Sequence, residues 1–79
     1  MQVVLYTKPD CSLCVTAKER VRAACSEAGV VWHEISIYDS AELFERFRSL
    51  IPVLCVDGRV VATLRFDDVS ALIRSAADE

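Results

Sequence analysis

The stretch Tyr6-Thr7-Lys8-Pro9-Asp10-Cys11-Ser12-Leu13-Cys14 constrains this chain more than any other. An apolar, strand-like run stops at Pro9, and two cysteines separated by two residues follow at the start of a helical pattern. The first turn of a helix leaves four backbone N–H groups without intrahelical partners and carries the positive end of the macrodipole. A thiolate at that position is favoured over a thiol, so Cys11 is expected to ionise below the roughly 8.5 of a free thiol. Lys8, three residues earlier, adds a cation, whereas the Asp10 carboxylate opposes ionisation. Cys14 lies one turn further in and faces the sheet. Desolvation keeps it a thiol until it attacks a mixed disulfide on Cys11.

A chain of 79 residues holds one domain, residues 1 to 79, and buries only about 60–65% of its unfolded surface. Apolar residues make up 53% of it and only four positions are Gly or Pro, which excludes a disordered chain and demands short connections. The formal net charge is −3 and the nine basic residues are scattered, so nucleic acid is not an expected partner. Met1-Gln2 runs directly into Val3-Val4-Leu5, with no charged leader and no apolar stretch of spanning length, so a cytoplasmic protein with no membrane association is expected. In that compartment the four cysteines point to redox chemistry, metal binding or plain burial rather than a disulfide framework.

Residues 2 to 6 are apolar without alternation, as in a central strand covered on both faces. From Ser12 to Ala28 the residues Cys14, Ala17, Val21, Ala24, Cys25 and Ala28 recur at helical spacing, opposite Lys18, Glu19, Arg22 and Glu27, and Gly29 stops the helix. Val30 to Ile37 reads as a second strand. Asp39-Ser40-Ala41-Glu42 is a capping pattern for a short helix with an apolar stripe of Leu43, Phe44 and Phe47, closed by Ser49 and Leu50. Pro52 to Val56 and Arg59 to Leu64 flank Asp57-Gly58, a two-residue hairpin signal. Asp67 or Asp68 caps a last helix that buries Val69, Leu72, Ile73 and Ala76. The order β-α-β-α-β-β-α predicts an α/β domain with a four-stranded mixed sheet flanked by three helices, and the cysteines fall where the first strand meets the first helix.

With those residues in view the sequence resembles a glutaredoxin, within the thioredoxin fold family, and is similar to a small subfamily of bacterial glutaredoxin-like proteins. Leu5 to Cys14 resembles the family's opening strand and active-site motif. Glu34-Ile35-x-Ile37 resembles its second strand, Ile51-Pro52-Val53 the proline loop facing the cysteines, and Asp67-Asp68-Val69 the start of its last helix. The resemblance implies a cis Ile51–Pro52 bond and an Ile51 backbone that pairs with bound peptide or glutathione as an added strand. It also implies that Cys11 attacks and Cys14 resolves. Leu50-Ile51 stands where the family usually carries Thr-Val, the glycine pair before the last helix is missing, and Ser12-Leu13 replaces Pro and an aromatic. Lys8 and Arg48 match cationic positions that flank the family's groove, and Phe66 is a candidate apolar wall in place of the glycines.

The expected function is thiol–disulfide oxidoreduction on a protein disulfide or mixed disulfide, as an electron-transport protein. It needs no bound cofactor, and glutathione, another low-molecular-weight thiol or a flavin disulfide reductase acts as reductant. A monomer suffices. Two other classes compete. The same cysteines suit copper or an iron–sulfur cluster; against a copper chaperone stand the element order and the absence of a Met just before Cys11. A non-catalytic module would dock a partner strand beside Pro52 without turnover. Cys25, about 16 Å along the helix from Cys14, and Cys55 in the third strand read as buried small hydrophobes. His33 is expected at an exposed or edge position and receives no role.

Overall fold

β-Branched and apolar residues form β1 (Val3–Thr7), and the Pro9-Asp10 turn ends it before α1 (Ser12–Ala28) begins. The chain continues through β2 (Trp32–Ser36), a single 3-10 turn (Ile37–Asp39), α2 (Ala41–Phe47), β3 (Val53–Val56), β4 (Arg59–Thr63) and α3 (Val69–Ala77). The computed structural model describes residues 1–66 and 68–77. Asp67, one of the two expected caps of the last helix, lies outside the described residues. Asp68 does cap it, its Oδ1 accepting the Ala71 N–H at 3.0 Å.

The sheet has the order β2-β1-β3-β4, with β1 and β2 parallel and the other pairs antiparallel. This is the four-stranded mixed sheet expected from the element order, in the thioredoxin-like arrangement that the resemblance implies. Asp57 (φ 51°) and Gly58 (φ 83°) make the two-residue turn between β3 and β4, both in the left-handed region that such hairpins use.

Side-chain alternation sends the two sheet faces into separate cores. Val3 and Leu5 of β1 and Leu54 and Val56 of β3 pack under Ala17, Val21, Ala24 and Cys25 of α1 and Val69 and Ile73 of α3, together with Phe66. Val53 and Cys55 point the other way, joining Cys14, Ile37, Phe47 and Ile51, with Tyr6, Leu43 and Phe44 at the edge. Each fully buried aliphatic side chain contributes about 1.5–3 kcal/mol.

Among the differences from the sequence reading, four have a local reason. β2 starts at Trp32 rather than Val30, because Gly29 (φ 69°) and Val30 donate to the last carbonyls of α1 and the C-cap consumes them. Ile37 leaves the sheet for the 3-10 turn, where the Ser36 hydroxyl accepts the Tyr38 N–H at 3.2 Å. The cap of α2 is Ser40, accepting from the Leu43 N–H at 3.3 Å, so Asp39 closes the preceding turn instead. Ala28, expected on the buried face, is exposed in the last turn of α1.

Candidate active site

Cys11 is the N-cap of α1. Its backbone is extended (φ −121°, ψ 107°), its carbonyl accepts the first α-helical bond from the Val15 N–H at 3.2 Å, and its Sγ accepts the Cys14 N–H at 3.2 Å. The sulfur thus takes the place of a Ser or Asp side-chain oxygen at the helix terminus. The Cα atoms of Cys11 and Cys14 are 5.2 Å apart and the two sulfurs stand at disulfide distance. Cys11 is half-buried, whereas Cys14 is 4% exposed and belongs to the core on the α2 side of the sheet. One sulfur is therefore open to a substrate and the other is shielded.

The Ile51–Pro52 peptide bond is cis, and both residues are buried. The loop is held from the far side: the Leu64 N–H donates to the Leu50 carbonyl at 3.1 Å and to the Pro52 carbonyl at 2.8 Å. Ile51 and Cys14 share one apolar cluster, and Cys11 packs against it. The proline loop and the cysteines are thereby brought together.

The other sequence-named residues are dispersed. Lys8 is exposed and lines an open cavity of about 640 Å³ with Pro9, Asp10, Cys11, Cys14 and Glu34. The Arg48 guanidinium lies 5.9 Å from the centre of the Phe44 ring, on the α2 side. Phe66 is 3% exposed, its ring in the core beneath α1 and α3, and it lines a smaller cavity beside Leu13. His33 is exposed on β2, one of the two edge strands.

Two features escaped the sequence reading. Glu34 accepts from the Thr7 hydroxyl at 2.9 Å and pairs with Lys18 at 3.0 Å, on the wall of the same cavity as the cysteines. The Lys18 hydrogen bond chiefly, with the Thr7 hydroxyl helping against partial burial, holds the Glu34 carboxyl below its ordinary value. The Leu5–Glu34 register that sets this up is a tertiary fact, and the sequence reading places Lys18 only on the polar face of α1. The second is Arg20, whose Nη1 donates to the Phe66 carbonyl and ties α1 to the segment between β4 and α3. Burial pushes the Cys25 and Cys55 thiols up, with Arg46 partly offsetting this at Cys55. Among the described residues no group of three or more His, Cys, Asp or Glu is placed to hold a metal ion, and no helix is long and apolar enough to cross a membrane.

A cysteine pair at the β1–α1 junction opposite a cis-proline loop, on a four-stranded mixed sheet with three helices, defines a thioredoxin-fold domain of the glutaredoxin type. The model of the family described as Glutaredoxin-like domain (DUF836) matches residues 2–74, and the chain belongs to that family. Among solved structures it is similar to the structural-genomics target XcR50 from X. campestris, at 28% identity and TM-score 0.73, covering 96% of this chain and 95% of that one. Two further likenesses concern the fold. Reduced Escherichia coli glutaredoxin aligns at 20% identity and TM-score 0.68 over 100% of both chains. Thioredoxin 1 from Thermosipho africanus aligns at 9% identity and TM-score 0.69 over 99% of this chain and 96% of that one. No curated protein matches the sequence.

Proposed function

We propose that the protein is a dithiol thiol–disulfide oxidoreductase acting on protein disulfides or mixed disulfides. The observation that carries this reading is the asymmetry of the pair: Cys11 half-buried at a helix N-cap with the Cys14 N–H on its sulfur, and Cys14 4% exposed at disulfide distance.

The Cys11 thiolate attacks one sulfur of a substrate disulfide; the S–S bond breaks and the leaving thiolate takes up a proton. The helix terminus and the Cys14 N–H stabilise the attacking anion. Cys14 then loses its proton and attacks the Cys11 sulfur, releasing the second substrate thiolate. Two electrons pass to the substrate and a Cys11–Cys14 disulfide remains. A low-molecular-weight thiol such as glutathione, or a flavin disulfide reductase, returns the pair to the dithiol in a reducing, cytoplasmic compartment. The substrate chain lies beside Pro52 and pairs with the Ile51 backbone as an added strand, with Lys8 on the cavity wall beside the cysteines. A monomer is sufficient for every step.

The test follows alkylation of reduced protein against pH, then equilibration with oxidised glutathione and identification of the product by mass. Cys11 alkylating well below the range of a free thiol, with a Cys11–Cys14 disulfide as product, is the expected result. Cys14→Ser should hold a lasting mixed disulfide and Cys11→Ser none. An ordinary thiol profile with no intramolecular disulfide would overturn the proposal.

A further inference from the structure

A cavity of about 270 Å³, lined by Leu13 from between the two cysteines, opens between α1 and the segment that leaves β4. Leu13 and Leu64, which are 41% and 46% exposed, form its apolar rim, and Phe66 is part of its wall. Its charged residues are Arg20 and Arg65; among the described residues no carboxylate lines it. Arg20 spends one N–H on the neutral Phe66 carbonyl, which fixes the guanidinium in place and leaves its charge uncompensated by that bond. Arg65 is exposed on the opposite wall.

We infer that this cavity selects polypeptide substrates that carry an acidic side chain within a few residues of the target cysteine. The inference rests on the oxidoreductase reading and names its substrate class. Three observations carry it. Leu13 lies between Cys11 and Cys14 in sequence, so a chain joined to the Cys11 sulfur passes the apolar rim. Two guanidiniums line a cavity whose described lining holds no carboxylate, Glu27 and Asp68 belonging to the neighbouring cavity that Arg20 also borders, and guanidinium geometry suits a carboxylate. The volume falls just below the roughly 300–1,000 Å³ that encloses a whole small molecule, so the cavity is matched to one side chain of a longer chain.

The experiment uses the full chain and three synthetic decapeptides, identical except for Glu, Gln or Lys placed two to four residues from a single cysteine blocked with 2-thiopyridine. Release of the thiopyridone by pre-reduced protein, in a single turnover that leaves the Cys11–Cys14 disulfide, reads the second-order rate constant. The Glu peptide should react about fivefold faster than the Gln peptide and the Lys peptide slowest. Arg65→Gln should narrow the spread, Arg20 still favouring the acidic peptide, and Arg65→Glu should level or invert the order, with circular dichroism showing both variants folded; Arg65 is exposed, so neither touches the core. Equal rates on all three peptides with wild-type protein would overturn the inference and leave the oxidoreductase standing. A charge preference that Arg65→Glu does not alter would overturn it too. No release from any peptide would overturn the oxidoreductase reading itself, and this inference with it.

Discussion

The amide of Leu64 donates to the Pro52 carbonyl at 2.8 Å and also reaches the Leu50 carbonyl at 3.1 Å, so the end of β4 clamps the loop that faces the cysteines. Leu64 does this with φ at 66°, a left-handed backbone that costs a branched L-residue roughly 1–2 kcal/mol. Leu64→Pro removes this donor and cannot adopt that φ, and should lower stability by about 2–4 kcal/mol in urea unfolding, with reductase activity falling as the loop loosens. Leu64→Asn keeps the amide and tolerates the conformation. It should leave stability unchanged or raise it by up to about 1 kcal/mol. Equal destabilisation by both variants would show that the side chain, not the amide, matters.

The element order, the two ends of α1, the hairpin turn and the cysteine pair were legible because each rests on a local rule: helical spacing over Ser12 to Ala28, a glycine stop, an Asp-Gly turn. What was not legible is what the register decides. β1 and β2 pair so that Leu5 sits beside Glu34, and only then does Glu34 meet Thr7 and Lys18. The capture of Val30 by the helix C-cap and of Ile37 by a 3-10 turn was hidden for a related reason. Both are β-branched and read as strand, and hydrogen bonds to the neighbouring element override that propensity.

Asp10 takes a left-handed backbone (φ 57°) immediately before Cys11, and both line the same cavity. Aspartate and asparagine adopt that conformation with little strain, so Asp10→Asn removes a charge and keeps the turn. A carboxylate beside the sulfur disfavours its thiolate. The variant's Cys11 should therefore ionise at lower pH than wild type, and iodoacetamide should react about twofold faster near pH 6, screening and the weaker nucleophilicity of a more acidic thiol limiting the gain. An unchanged rate would mean that the charge is fully solvated.

Cys25 is fully buried and Cys55 is 7% exposed, and burial raises both thiols above the range of a free thiol. Reduced native protein should accept label at Cys11 and, more slowly, Cys14, with Cys25 and Cys55 reacting only in denaturant; intact mass resolves the two stages. Cys25→Ala should be mild. Cys25→Ser places a hydroxyl among Val21, Ala24 and Leu54 and should cost about 1–3 kcal/mol. Rapid native labelling of Cys25 would show that α1 opens locally.

Glu34 links the edge strand to α1 through Lys18 and to β1 through Thr7, and both bonds favour its ionised form. Because the folded carboxyl ionises below its ordinary value of 4.5, the folded state is stabilised above that pH. The contribution is lost as pH falls through the lowered folded value. The side chains of Lys18 and Glu34 are 40% and 35% exposed, so the pair is screened and contributes less than about 1 kcal/mol. Glu34→Gln should therefore be slightly less stable than wild type at about pH 7, the gap closing near pH 2 and shrinking in about 1 M salt. Denaturant midpoints across that range check it, and a gap that widened on acidification would mean that Glu34 stabilises the fold as the neutral acid.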